Sequence, residues 1–132
     1  MDESLLAGLK LSPKGATADQ LDALEAQLGA KLPKDLRAFL AEHDGAQGKV
    51  GGRQRPLVLW SAEQLGSEAE QQEVALAVKG LVLFGTDGGA EGYGYLPRLN
   101  KLRYGRISLL AAGAHEFEGL ADTLEDLLKA LA

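Results

Sequence analysis

Leu81-Val82-Leu83-Phe84-Gly85-Thr86-Asp87-Gly88-Gly89-Ala90-Glu91-Gly92-Tyr93-Gly94-Tyr95-Leu96 is the stretch on which the fold turns. Leu81 to Phe84 is an unbroken apolar run of β-compatible residues, which fits a strand buried on both faces. The run stops at Gly85, and Asp87-Gly88-Gly89 is the strongest turn signal in the chain, because glycine takes φ > 0 without a Cβ clash. Tyr93 and Tyr95 then alternate with small residues, as a returning strand does. The stretch predicts a central hairpin whose wide, glycine-rich tip carries two carboxylates, Asp87 and Glu91.

A glycine-rich loop invites a phosphate-binding reading, and the residues argue against it. Gly80 to Gly85 has the outer spacing of a Walker loop, yet Thr86-Asp87 follows in place of Lys, and the residues between are strand-like. Gly92-Tyr93-Gly94 lacks the third glycine of a dinucleotide fingerprint and no helix follows it. Asp87 and Glu91 lack the alternating oxygen ligands of a calcium loop. No metal and no cofactor is expected.

The 132 residues suit one domain, 1–132, able to bury about two-thirds of the unfolded surface. No apolar run approaches the length of a membrane span, and Met1-Asp2-Glu3-Ser4 lacks the basic region of a signal peptide. The chain has no cysteine, which excludes disulfides and thiolate metal sites and fits a cytoplasmic location. A net charge of −5 disfavours nucleic acid and anionic membranes as partners. Lys49, Arg53 and Arg55 form one basic island, and Arg98, Lys101, Arg103 and Arg106 another.

Before the hairpin, Leu5, Leu6, Leu9 and Leu11 are spaced for a short amphipathic helix over 4–11, broken by Pro13-Lys14-Gly15. Thr17 with Gln20 is a capping box, Leu21, Leu24 and Leu28 make one stripe, and Gly29 suits a left-handed cap. A helix over Ala18–Leu28 follows. Pro33 at a first helical position opens a second helix, with Leu36, Phe39 and Leu40 buried and Gly45 as terminator. His43, near that helix's end, reads as a dipole-favoured histidine, since no other His or Cys stands at metal spacing.

Leu24-Glu25-Ala26-Gln27-Leu28-Gly29-Ala30-Lys31-Leu32-Pro33, then Phe39-Leu40 and Asp44-Gly45, resembles the N-terminal signature of the SUKH superfamily. Phe84-Gly85-Thr86-Asp87-Gly88-Gly89 followed by Gly92-Tyr93 resembles its central motif. The resemblance covers roughly Thr17–Leu131, a core of 17–131, with Asp44 where the pattern more often has Asn, a mild exchange at a helix end. It implies a non-enzymatic scaffold, often an immunity protein that masks a polymorphic toxin. The alternative is a regulator docking on a cellular protein, as in cell-wall synthesis.

Ala46–Arg55, with three glycines and three basic residues, reads as an exposed loop. Pro56–Trp60 reads as a strand, Ser61–Leu65 as a turn of helix, and Ser67–Val78 as a helix with Glu68, Glu70 and Glu73 outward. Arg98–Leu110 is a further sheet region, with a reversal expected at Tyr104-Gly105-Arg106. Ala111–Gly119 is expected as loop or bulge. Asp122 with Glu125 is expected to cap a last helix that buries Leu124, Leu127, Leu128 and Leu131. Helices bracketing hairpin-linked strands give an α+β domain with a mostly antiparallel sheet, flanked by N-terminal helices and a C-terminal helix.

Chemistry finds little footing. There is no Gly-x-Ser-x-Gly elbow, no Cys nucleophile and no His pair at i, i+4. Acid–base catalysis would need Asp87 or Glu91 beside His43 or His115, with burial enough to shift a pKa. The chain is therefore expected to be no enzyme. A protein partner is expected on Asp87 and Glu91, where a stiff turn lowers the entropy lost on binding, with Glu68, Glu70 and Glu73 as an auxiliary acidic face. The tip's glycines would equally serve turn geometry alone, which would leave Lys49–Arg55 as the alternative contact. If the partner is a basic nuclease toxin, carboxylates would occupy its phosphate-binding surface and steer encounter.

Overall fold

The computed structural model describes residues 8–29, 31–49, 56–67, 81–87, 91–98, 101–108 and 117–131. Along them run β1 (Leu9–Leu11), α1 (Ala18–Leu28), α2 (Lys34–Glu42), β2 (Ala46–Gly48), β3 (Leu57–Leu59) and α3 (Ala62–Ser67). Then follow β4 (Val82–Thr86), β5 (Glu91–Arg98), β6 (Lys101–Ser108), β7 (Glu118–Ala121) and α4 (Leu124–Leu131). The seven strands form one antiparallel sheet in the order β1 to β7, each paired with its neighbour in sequence. The α+β class and the central β4–β5 hairpin are as the sequence predicts.

Helix ends follow local chemistry. The Gln20 N–H donates to Thr17 Oγ1 at 3.2 Å and the Thr17 N–H to Gln20 Oε1 at 2.8 Å, closing the capping box of α1. Gly29 ends α1 in the left-handed region at φ 73°. Pro33 sits one step outside α2 rather than in its first turn, because its ψ of 146° is still extended. α2 buries Leu36, Phe39 and Leu40 and ends at Glu42 with His43 as its cap, short of Gly45. A second capping box, Ser61 with Gln64, starts α3 through bonds of 3.2 and 3.0 Å. α4 is capped by Thr123, whose Oγ1 accepts the Asp126 N–H at 3.1 Å, rather than by Asp122 with Glu125. Asp122 instead pairs with Arg103 at 2.9 Å. The helix expected over Ser67–Val78 lies outside the described residues from 68 onward.

Several strands replace expected helix or loop. Leu9–Leu11 is an edge strand paired with Gly48–Ala46, so its leucines serve a two-residue repeat. Ala46–Gly48, expected in a loop, is held between β1 and β3. β6 runs unbroken through Tyr104-Gly105-Arg106, and the reversal comes earlier, between Arg98 and Lys101. Gly105 stands opposite Gly94 inside the sheet. A methyl group at Gly105 would strike the Glu118 carbonyl and the Phe117 ring, and one at Gly94 the Val82 carbonyl. Glycine there permits strand approach, which is why it does not mark a turn. Glu118–Ala121 is β7, within and beyond the expected loop.

Leu81, Val82, Leu83 and Phe84 are all buried, as a strand covered on both faces requires. A register shift between Leu83 and Gly85 makes Phe84 a bulge residue, and β4 continues past Gly85 to Thr86. The Phe84 ring stacks on Tyr95 at 6.4 Å and meets Tyr104 edge-on at 5.8 Å, while Tyr95 and Tyr104 lie 6.3 Å apart. Those geometries are the favoured ones for aromatic pairs. Trp60 is buried too, and its backbone N–H donates to the Phe84 carbonyl at 2.9 Å.

Candidate functional site

Two carboxylate-rich places stand out, one at the end of the central hairpin and one between α2 and α4. At the hairpin end, Glu91 and Tyr93 alternate along β5, Tyr93 opposes Arg106, and Arg106 opposes Glu118. Opposed and alternate residues share a face, so the four side chains converge. Arg106 Nε donates to Glu118 Oε2 at 2.9 Å, and its Nη1 lies 3.7 Å from Glu91 Oε1. The Tyr93 hydroxyl donates to Glu91 Oε2 at 3.3 Å. The Glu118 hydrogen bond, above all, raises the Arg106 pKa further.

Asp87 has a different surrounding from the wet tip expected of it. It is 8% exposed, and its Oδ1 accepts the Glu91 N–H at 3.2 Å while its own N–H donates to the Glu91 carbonyl at 3.2 Å. The Thr86 hydroxyl donates to that same carbonyl at 2.8 Å. Asp87 therefore clips the turn shut, and Glu91, its side chain 22% exposed, is the carboxylate presented. Gly85, Gly92 and Gly94 belong to strands. Glu68, Glu70, Glu73 and His115 lie outside the described residues, as do Arg53 and Arg55, and Lys49 is exposed.

The second place was not read from the sequence. Asp35, in the first turn of α2, accepts from the Tyr104 hydroxyl, from the Leu124 N–H at 2.7 Å and from the Leu36 N–H at 2.9 Å. One carboxylate thus ties α2 to β6 and to the start of α4. Burial first, and then the bond to Asp35, push the Tyr104 hydroxyl pKa well up. Its cross-strand neighbour Tyr95 is pushed up too, mainly by burial, and its hydroxyl has no hydrogen-bond partner among the described residues. Beside the Asp35 tie lies a groove of about 360 Å³, with Ala38, Phe39, Glu42 and His43 on one wall. Asp35, Thr123 and Glu125 complete it, and neither Asp87 nor Glu91 is among its lining residues. His43 Nδ1 is 2.9 Å from the Ser12 carbonyl, which can only accept, so this nitrogen carries the proton.

The acids of the quoted N-terminal pattern serve the fold. Glu25 accepts the Leu32 N–H and the Arg37 guanidinium, each at 2.7 Å, and Arg37 also reaches Asp22 at 2.8 Å. Asp44 accepts the Ala62 N–H at 2.7 Å, where α3 begins. Among the described residues no three His, Asp or Glu side chains group as a metal site would need, and no helix is long and apolar enough to cross a membrane.

The sequence profile of the SMI1 / KNR4 family (SUKH-1) matches residues 15–130. No curated protein matches the sequence.

Proposed function

The chain belongs to the SMI1 / KNR4 family (SUKH-1), and from that membership we propose a non-enzymatic, protein-binding domain of the immunity type, neutralising a toxin in the cytoplasm. The profile match over 15–130 carries the reading. An acidic chain supports a basic partner such as a nuclease, because opposite charge speeds encounter and selects register. The proposed contact is the acidic end of the hairpin: Glu91 faces the partner and Asp87 holds the turn that presents it, with Glu68, Glu70 and Glu73 proposed as an auxiliary acidic face.

Co-expression tests the proposal. The reading frame immediately upstream is expressed in a bacterial host with and without this chain. Rescue of growth, with a complex that survives size-exclusion chromatography, is the expected result. A non-toxic upstream product, together with this chain co-purifying with a cell-wall-synthesis component, would replace immunity by the regulatory role.

A further inference from the structure

We propose that β1 accepts an extended, acidic segment of a partner protein as a further strand of the sheet. The hydrogen-bond register makes the place. The Lys49 N–H donates to the Gly8 carbonyl at 3.0 Å, and the Ser12 N–H to the Gly45 carbonyl at 3.1 Å. In an antiparallel pair, successive residues turn their N–H and C=O alternately toward the neighbour and away from it. Gly8 and Ser12 turn inward with Lys10 between them, so Leu9 and Leu11 turn theirs outward. Among the described residues β1 has one neighbour, β2, which leaves these four groups to the edge. An added strand pairs with such groups through its own backbone. Pro13, the next outward place, has no N–H and ends the ladder.

Side chains select what is added. Leu9 and Leu11 stand in rows with Gly48 and Ala46, then with Leu57 and Leu59, on the face turned to the core. Leu9 is buried and Leu11 half-buried, so apolar residues opposite them would complete the cover. Lys10, Gln47 and Val58 form the row between, on the other face. A hollow of about 260 Å³ opens there, with Lys10, Gln47, Val58 and Gln64 in its lining. Gln64 Oε1 takes the Ser61 N–H, which leaves its NH₂ group to donate. Asp44, the carboxylate of that lining, already accepts the Ala62 N–H. A carboxylate opposite Lys10 therefore meets an ammonium and amide donors.

Charge decides between occupants. The chain carries −5 overall, yet this edge is basic. Lys10, Lys14 and Lys49 are exposed, and none of them forms an ion pair among the described residues. Two copies of β1 paired about Lys10 would set lysine against lysine, and like charges directly opposite destabilise a cross-strand pair. A lysine on a short edge strand guards against self-association in this way. The same lysine admits a foreign strand with glutamate or aspartate at its centre, because opposite charges across strands attract. The segment that fits reads apolar, acidic, apolar. Only its assignment to the toxin partner rests on the protein-binding function above; the edge does not.

The test is a titration of isotope-labelled full chain, followed by amide chemical shifts and amide exchange. The probes are acetyl-Thr-Val-Glu-Val-Thr-amide, its counterpart with lysine in place of glutamate, and the glutamate peptide N-methylated at both valines. Saturable shifts centred on 8–12 are expected for the glutamate peptide, with slowed exchange of the Leu9 and Leu11 amides. The lysine peptide should bind about fivefold more weakly, and the N-methylated one not at all, since it cannot donate to the edge. Lys10→Glu, an exposed change, should reverse the order of the two charged peptides. Absence of saturable shifts at 8–12, undiminished binding of the N-methylated peptide, or an unreversed order in Lys10→Glu would overturn the proposal. Slowed exchange at Leu9 and Leu11 that grows with protein concentration alone would also overturn it, by giving the edge to a second copy. Failure of the co-expression test with peptide binding intact would remove the immunity role and leave the edge.

Discussion

The hairpin end and the α2–α4 groove are both rich in carboxylates and differ in what answers them. At the hairpin end Glu91 and Glu118 share Arg106, and Asp87 is used up on a backbone N–H. In the groove Asp35 is engaged by three donors of the fold, and Glu42 and Glu125 line the same cavity. Equal acidity therefore conceals two designs. The first gathers its carboxylates around an arginine at the surface, and the second uses one carboxylate to tie two helices to the sheet.

The sharpest break of this comparison is Asp35→Ala. It strands the Tyr104 hydroxyl and the Leu124 N–H, and at about 1–3 kcal/mol for each unsatisfied buried group the loss should reach about 3 kcal/mol or more. Urea denaturation reads it, and a loss no larger than that of an exposed alanine replacement would deny Asp35 its role as the tie. Asp87→Lys comes next, at about 1–3 kcal/mol, because a buried acceptor is lost and a charge is put in its place. Glu91→Gln, by contrast, should cost at most about 1 kcal/mol, because its ion pair with Arg106 is long at 3.7 Å and a glutamine can still accept from Tyr93. Equal losses for the two would show that both are clips.

The tyrosine pair sharpens the contrast further. Tyr104→Phe removes the donor on Asp35 and should cost about 1–2 kcal/mol. Tyr95→Phe removes a hydroxyl with no partner among the described residues and should leave stability unchanged or raise it by about 0.5 kcal/mol. Both phenols have folded pKa values above the ordinary one of about 10. Their contribution is thus complete below about pH 10 and is lost as pH rises further, since the unfolded phenols release protons first. Denaturation midpoints that fall above about pH 10, and fall less steeply in Tyr95→Phe, would agree. Glu42→Gln should raise stability by about 0.3–1 kcal/mol by relieving the helix dipole. A destabilised Glu42→Gln would mean that Glu42 serves the fold.

Legibility in the sequence followed the range of the physics. Thr17, Gln20 and Gly29 fix α1 through contacts a few residues apart, so its ends could be read directly. Ser61-Ala62-Glu63-Gln64 carried the same capping signal and was there to be read as well. Gly105 was misread because its reason is a carbonyl on another strand, and Leu9–Leu11 because its partner lies beyond two helices. The aromatic core around Phe84 and Tyr95 was legible from an apolar run and an alternation. The groove was not, since Glu42 and Glu125 become neighbours only when Asp35 reaches Tyr104, 69 positions away, and Leu124, 89 away.

Sequential strand order also sets the order of events in folding. Each pairing joins chain neighbours, and closing a loop costs entropy that grows only with the logarithm of its length. β5 and β6 meet across the short step from Arg98 to Lys101, so they can zip early. β1 and β2 must wait until two helices have been laid down between Leu11 and Ala46, so β1 docks last. The same ranking is expected in reverse for opening of the native protein: the three-residue strand at the N-terminal edge should exchange its amides before the strands that carry the ring cluster, three places and more across the sheet.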